Sequence, residues 1–274
     1  MITEKIDIQV EGSQPGSALY TYILDASPEI RDNIRPLVLL CPGGGYEFTS
    51  DREAEILALQ FVAMGYHAAV LRYSVAPAVF PAALMELATA VKIIKEHAEE
   101  WNIVPDKIFV EGCSAGGHLA ASLGVFWNDR ELAIADRIGT TLEMIKPAGM
   151  ILCYPVITSG EYAHRGSFDA LLKDLDDEDR LLEKVSLEKQ VNADTPETFI
   201  WHTFTDGLVP VENSLMFVTA LRAAGINTEF HMYPVGGHGL STAREFTRTP
   251  MWNEVQPECQ NWLEMARTWL DSRR

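Results

Sequence analysis

Short apolar runs alternate with amphipathic stretches from about residue 36 onward, and this alternation constrains the fold more than any other feature. Most runs are apolar at every position, which is typical of strands buried on both faces of a parallel sheet. We therefore predict an α/β fold with a mostly parallel, twisted sheet covered by helices on both faces. The predicted strands are residues 36–41, 66–71, 107–110, 149–153, 198–201 and 228–233.

The amphipathic stretches between these runs predict helices. The clearest is 83–98, where Leu84, Leu87, Val91 and Ile94 recur at three- and four-residue steps along one face. Helices in these connections are what a parallel sheet needs to join its strands. The other predicted helices are 53–64, 115–127, 212–224 and 258–270.

The remaining segments suggest how the chain is organised. Two earlier strands, near 6–10 and 19–24, are expected to pair antiparallel at one edge of the sheet. A length of 274 residues suits a single domain, 1–274. The connection at about 156–196 is too long for a plain loop, so we expect a short inserted lid there. Its apolar residues, Leu171 to Val185, are expected to form one helical face beside the acidic run at 174–179.

The chain is strongly acidic, because 22 Lys and Arg against 39 Asp and Glu give a formal net charge of −17. This charge repels phosphate backbones and anionic lipids, so we expect no nucleic-acid partner and no membrane partner. The N-terminus lacks the basic start and apolar run of a signal peptide. The four cysteines form no CxxC pair, so neither a metal site nor a disulfide framework is expected. A cytoplasmic location is the resulting expectation.

A G-x-S-x-G motif at residues 112–116 is the first feature that indicates chemistry. A predicted strand leads into it and a predicted helix follows, so Ser114 should lie on a tight strand-to-helix turn. Such a turn directs a helix N-terminus at the reacting carbon and puts the Ala115 N–H where an oxyanion would form. We predict that Ser114 is a nucleophile.

A second glycine cluster, residues 43–45, follows the strand predicted at 36–41. Consecutive glycines let backbone amides turn inward without obstruction, so this loop is a candidate for the other oxyanion donors. A plain glycine turn is the alternative. A phosphate-binding loop is excluded because no Gly-Lys-Ser/Thr follows, and Phe48 breaks the G-x-G-x-x-G pattern.

A serine nucleophile needs a base, and the chain has seven histidines. His238 is the leading candidate because it follows the last predicted strand in a glycine-rich loop. His202 and His164 are weaker candidates because neither follows that strand. His118 lies one helical turn after the serine and is expected to be a packed residue beneath it.

Asp206 is the expected acid, because it lies in the turn after the strand predicted at 198–201. Its role would be to orient the base. The order Ser114, Asp206, His238 along the chain is that of α/β hydrolases and differs from the orders of chymotrypsin and subtilisin.

Six segments carry a wider pattern: CPGGGY at 41–46, DREAE at 51–55, GYHAAVLRYSVAP at 65–77, EGCSAGGHLAASLG at 111–124, HTFTDGLVPVENSL at 202–215 and YPVGGHGL at 233–240. With them the chain resembles bacterial α/β-hydrolase esterases related to acetyl-xylan esterases, sugar hydrolases and xylanase-associated esterases. The resemblance covers nearly the whole chain and implies the α/β-hydrolase fold. It also implies Gly44, Gly45 and Ala115 as oxyanion donors. Pro42 departs from the lipase-like members, which have the histidine of HGGG there.

These features together predict a serine carboxylic-ester hydrolase, and the resemblance implies that it removes acetyl groups from small carbohydrates. Its partner would be a small-molecule ester, and no cofactor or metal is expected. Tyr46 beside the glycine loop, and His164 and Ser167 in the inserted segment, are candidate substrate contacts.

Two other functions fit the same motifs. One is a serine peptidase of the prolyl-peptidase kind, and the other is a non-enzymatic binding protein that has kept the fold. An intact triad argues against the binding protein, and peptide hydrolysis would identify the peptidase. The sequence leaves open whether the chains form a homo-oligomer.

Overall fold

Eight β-strands form one sheet in the part of the chain that the structure describes. The structure is a computed structural model, and it describes residues 1–251 and 254–273. The strands are β1 (Lys5–Asp7), β2 (Ala18–Tyr22), β3 (Arg35–Cys41), β4 (His67–Arg72), β5 (Ile103–Cys113), β6 (Gly149–Cys153), β7 (Thr198–Thr203) and β8 (Thr228–Tyr233).

The strand order across the sheet is β1-β2-β4-β3-β5-β6-β7-β8. β2 pairs antiparallel with both β1 and β4, and the six strands from β4 to β8 pair parallel. The mostly parallel sheet and its antiparallel edge are therefore confirmed. Because the parallel strands end at one edge of the sheet, the loops that follow β3, β5, β7 and β8 meet there.

Helices cover both faces of the sheet. Apolar side chains of α2, α3 and α8 pack on one face, and those of α1 and α9 pack on the other. Among the described residues no helix is both long and apolar enough to cross a bilayer. The helices are α1 (Glu55–Ala63), α2 (Ala82–Glu96), α3 (Ala115–Phe126), α4 (Ile134–Arg137), α5 (Leu142–Ile145), α6 (Arg165–Leu171), α7 (Glu178–Lys184), α8 (Glu212–Ala223) and α9 (Trp262–Asp271).

Strand β3 shows why the strand segments are apolar throughout. Leu37 and Leu39 pack in the core on one face, and Val38 and Leu40 pack in the core on the other. Successive side chains of a strand point to opposite faces, so a strand covered on both sides needs an apolar residue at every position.

The largest differences from the predicted boundaries lie at the starts of β5 and α9. β5 begins at Ile103, earlier than predicted, because its exposed residues Pro105 and Asp106 hide the strand from a search for apolar runs. α9 begins at Trp262, because a short 3₁₀ turn, Pro257–Cys259, takes the place of its predicted first turn.

The inserted segment at 156–196 contains two short helices, α6 and α7, so the prediction of one helical face was wrong. Asp174 and Asp177, between them, have φ of 57° and 62°. Left-handed residues end a right-handed helix, so the acidic run divides the apolar residues between two elements. These side chains still pack onto the body: Leu171, Leu172 and Val185 are buried, and Leu175, Leu181 and Leu182 pack against the core.

Candidate active site

Ser114 lies at the turn between β5 and α3, with φ of 54° and ψ of −120°. This conformation is strained for a residue with a side chain, and it is typical of a nucleophile elbow. Two glycines make the turn sterically feasible. A Cβ on Gly116 would overlap the carbonyl oxygen of Cys41, and one on Gly112 would overlap that of Gly116. The spacing of G-x-S-x-G therefore follows from close backbone packing.

His238 and Asp206 form a hydrogen-bonded series with Ser114. Nε2 of His238 lies 2.7 Å from Oγ of Ser114, and Nδ1 lies 2.7 Å from Oδ2 of Asp206. A neutral His238 with its proton on Nδ1 donates to the carboxylate and accepts the serine hydroxyl proton. The structure thus brings the three predicted residues together, in a geometry that can activate the serine.

The carboxylate of Asp206 is buried and both of its oxygens are hydrogen-bonded. Oδ1 accepts the N–H groups of Leu208 and Val209, each at 2.9 Å. Oδ2 faces both His238 and Nε2 of His202, the latter at 3.2 Å. Burial acts to raise the pKa of Asp206, but the hydrogen bonds from His202 and His238 outweigh it and hold that pKa well below its usual value. Asp206 is therefore ionised at neutral pH.

His202 is a supporting residue whose contacts the sequence did not reveal. Its Nε2 lies 3.0 Å from the carbonyl oxygen of Val209, which can only accept, so Nε2 carries the proton. Nδ1 then accepts the hydroxyl of Ser214 at 2.8 Å. The Nε2–H group therefore also faces Asp206. The sequence signal that could have indicated this arrangement is a histidine on a buried strand, four residues before Asp206.

The glycine loop at 43–45 lies beside the elbow. Gly44 has φ of 135°, and a Cβ there would overlap the carbonyl oxygen of Phe48, so no other residue fits. Gly44 and Gly45 line the cleft together with Ser114. Ala115 begins α3, so its N–H has no partner within that helix. These three amides are the candidate oxyanion donors.

A cleft of about 150 Å³ opens above Ser114. Most of its lining is glycine or polar, while Phe48 and Leu208 are exposed apolar residues of the lining. The lining residues are Gly44, Gly45, Glu47, Phe48, Ser50, Arg52, Glu53, Ser114, His164, Leu208, His238 and Gly239. The predicted nucleophile and base are both among them.

The structure separates the three candidate substrate contacts. His164 lines the cleft and is half-buried, and burial lowers its pKa. Ser167 is only 1% exposed, and its hydroxyl lies 2.8 Å from Nδ1 of His164, so Ser167 supports His164 and does not face the cleft. Tyr46 is 3% exposed, and its hydroxyl lies 2.8 Å from Nδ1 of His118. Tyr46 and Ser167 are buried and are not among the residues that line the cleft, so their assignment as substrate contacts stays a prediction without structural support.

His118 is a packed histidine, as its position suggested. Its Nε2 lies 2.9 Å from the carbonyl oxygen of Val185, so this nitrogen carries the proton and Nδ1 accepts the hydroxyl of Tyr46. Burial lowers the pKa of His118 to about 4. The ring is neutral at neutral pH and helps to fix the glycine loop through Tyr46.

Three groups that can bind metals lie close together among the described residues: Glu111, Cys113 and Cys153, within 4.8 Å of one another. Both thiols donate to Oε1 of Glu111 at 3.2 Å. Burial raises the pKa of both thiols, and it raises the pKa of Glu111 to about 8. Burial therefore favours the protonated form of all three groups at neutral pH.

Comparison with known proteins identifies relatives over most of the chain. It is 38% identical over 218 residues to endo-1,4-beta-xylanase B of Butyrivibrio fibrisolvens, a match that covers 77% of this chain and 33% of that protein. It is 26% identical over 257 residues to an acetylxylan esterase of Xylanibacter ruminicola, covering 92% of this chain and 49% of that protein. The chain thus spans half or less of the length of these curated relatives.

A solved structure matches the fold over nearly its whole length. The acetyl ester-xyloside bifunctional hydrolase of Caldicellulosiruptor lactoaceticus superimposes with a TM-score of 0.80 at 33% identity, covering 98% of this chain and 96% of that one. The expected α/β-hydrolase fold is confirmed by this likeness. A family model, BD-FAE, matches residues 25–221. The chain belongs to the BD-FAE family.

Proposed function

We propose that this chain is a serine esterase that cleaves short-chain esters, chiefly acetyl esters of small carbohydrates. The observation that carries the proposal is the unbroken series of hydrogen bonds from Ser114 through His238 to Asp206 beside a cleft. The names of the relatives, an acetylxylan esterase and an acetyl ester-xyloside hydrolase, support both the esterase class and the acetylated sugar.

The reaction would proceed through an acyl-enzyme. Oγ of Ser114 attacks the ester carbonyl carbon as Nε2 of His238 takes its proton, and the amides of the glycine loop and Ala115 hold the oxyanion. Collapse of the tetrahedral species expels the alcohol, which receives the proton from His238. Water then attacks the acyl-enzyme with the same base, releases the carboxylic acid and restores Ser114. Asp206 keeps the proton of His238 on Nδ1 throughout.

The size and lining of the cleft support a short acyl group. The cleft holds about 150 Å³, and the apolar side chains of the inserted segment are used in packing onto the core. Polar side chains in the lining, including His164, would hydrogen-bond the hydroxyl groups of a sugar alcohol. Residues 156–196 would then act as the lid of a single domain, because they supply His164 to the cleft.

The test is a panel of short-chain esters and acetylated oligosaccharides with wild-type protein and Ser114→Ala. The variant should lose ester hydrolysis by about a million-fold, down to what binding and the oxyanion site alone supply. Ser122→Ala, which changes a buried serine of α3, is the matched control and should keep activity. Retained hydrolysis in Ser114→Ala would refute the proposal, and cleavage of peptides in place of esters would favour the peptidase.

A further inference from the structure

Glu53 is a buried carboxylate beside the proposed catalytic serine, and the triad mechanism does not use it. It ends a short 3₁₀ turn, Asp51–Glu53, and is 3% exposed. Oε2 accepts the N–H of Gly43 at 2.9 Å, and Oε1 accepts the hydroxyl of Tyr154 at 2.8 Å. Burying a carboxylate costs free energy unless hydrogen bonds from the protein replace those that water would make.

The contacts of Glu53 join three segments that carry different parts of the site. Gly43 begins the glycine loop, and Tyr154 follows β6. The hydroxyl oxygen of Tyr154 in turn accepts the N–H of Ser241 at 2.9 Å, which lies three residues after His238. The ring of Tyr154 also packs edge-on against the ring of His238, with centroids 5.2 Å apart. One carboxylate therefore restrains both the oxyanion loop and the segment of the base.

The geometry puts this carboxylate next to the nucleophile without directing it at the reacting atoms. A Cβ built on Gly43 would lie 2.8 Å from Oε2 of Glu53 and 3.0 Å from Cβ of Ser114. Both carboxylate oxygens of Glu53 accept hydrogen bonds from the protein, one from Gly43 and one from Tyr154. The loop is also fixed from its other side, where the hydroxyl of Tyr73 donates to the carbonyl oxygen of Pro42 at 2.6 Å.

We propose that Glu53 is a positioning residue for catalysis: it orients the peptide at Gly43 so that the amides of Gly44 and Gly45 face the oxyanion. Through Tyr154 it also fixes His238 against Ser114. This inference rests on the proposed function, because it assumes that Ser114 forms a tetrahedral species. An oxyanion donor acts only when it is held in place before the reaction, so loss of this restraint weakens binding of the transition state more than binding of the ester.

The chain offers a matched control. Glu86 is also fully buried, and its carboxylate accepts Ser74 N–H at 2.7 Å and the hydroxyls of Ser13 and Ser74. Its partners Ser13 and Ser74 lie in loop segments, and neither residue lines the cleft. Glu53→Gln and Glu86→Gln therefore make the same chemical change in two buried sites, and only Glu53 touches the glycine loop.

The experiment measures kcat, KM and thermal unfolding for p-nitrophenyl acetate with wild type, Glu53→Gln, Glu86→Gln and Tyr154→Phe. One oxyanion donor is worth about 10²–10³ in kcat, so we expect Glu53→Gln to lower kcat by about 10- to 100-fold with KM changed less than about threefold. Tyr154→Phe, which keeps the ring against His238, should lower kcat in the same sense. Glu86→Gln should change thermal unfolding alone.

The outcomes separate this inference from the proposed function. Ser114→Ala is measured in the same panel, and if it retains activity the proposed function fails. If Ser114→Ala is inactive but Glu53→Gln and Tyr154→Phe keep the wild-type kcat, only the role of Glu53 is refuted. Equal losses of kcat in Glu53→Gln and Glu86→Gln would also overturn the inference, because they would show that Glu53 only stabilises the folded protein. Should Glu53→Gln not fold, Tyr154→Phe alone decides by the same criteria.

Discussion

Replacing Asp206 by Asn is the substitution whose effect the structure specifies best. Oδ1 accepts two backbone N–H groups, from Leu208 and Val209. The Asn side chain must keep its carbonyl oxygen there, because the reverse orientation would set an NH₂ group against two donors. The NH₂ group therefore faces Nδ1 of His238, where the carboxylate oxygen accepted a proton.

An NH₂ donor at this position reverses the tautomer of His238. Nδ1 must then accept, so the proton moves to Nε2, the nitrogen that has to take the proton of Ser114. We expect kcat to fall by about 10⁴, as for the loss of the correct tautomer in other triads, which corresponds to about 5 kcal/mol. The same NH₂ group also opposes the Nε2–H of His202, so the free energy of unfolding should fall by about 1–3 kcal/mol.

The assay is steady-state hydrolysis of p-nitrophenyl acetate, with urea unfolding measured on the same samples. Asp194→Asn is the control, because Asp194 is exposed and its side chain bonds only Asn128 among the contacts described. A kcat within tenfold of wild type in Asp206→Asn, or a larger loss in Asp194→Asn, would show that the acid is misassigned.

Three further predictions follow from the same structure. The ratio kcat/KM should fall steadily from acetyl to octanoyl esters of one alcohol, because a cleft of about 150 Å³ gives a long chain little surface to bury; a rise with chain length would contradict the proposed substrate. Gly116→Ala should prevent folding or abolish the elbow, since its Cβ would overlap the carbonyl oxygen of Cys41; circular dichroism and activity together test this, and native behaviour would refute the packing argument. The free energy of unfolding should fall as the pH is lowered from 6.5 to about 4, because the unfolded chain protonates His118 in this window while the folded chain, with its lowered pKa, does not. This one residue contributes up to about 3 kcal/mol, and urea titrations of wild type and His118→Asn should show a shallower pH dependence in the variant.

Local patterns predicted much of the fold and the centre of the site. A strand buried on both faces needs an apolar residue at each position, as β3 shows. Such a strand can therefore be recognised from its own residues, without knowledge of its neighbours in the sheet. The elbow at Ser114 is equally local, because its two glycines are required within five residues. Asp206 and His238 could be predicted because each follows a strand, and parallel strands end at the same edge of the sheet. The single-domain organisation and the location in the cell stay predictions.

The inserted segment and the substrate contacts show where local patterns were insufficient. Six apolar residues at helical spacing predicted a single helical face in the inserted segment. Asp174 and Asp177 adopt left-handed backbone conformations, and they divide these residues between two helices. Tyr46 adjoins the glycine loop in sequence, yet its side chain turns into the core toward His118. Tertiary packing decides whether a side chain points into a cleft or into the core. The position of a residue next to a motif in the sequence does not show which of the two it does.

By itself the sequence determined the α/β architecture, the strand-to-helix turn at Ser114 and the order of Ser114, Asp206 and His238 along the chain. Each of these depends on periodicity or on residues close together along the chain. The tertiary structure alone decided which buried polar groups support them. Glu53 meets Tyr154 across 101 positions, and Tyr46 meets His118 across 72. A buried polar group must find its partner wherever the fold puts one. Such pairings between distant residues leave no periodic signal, so the restraints on the glycine loop and on His238 become visible only when the chain is folded.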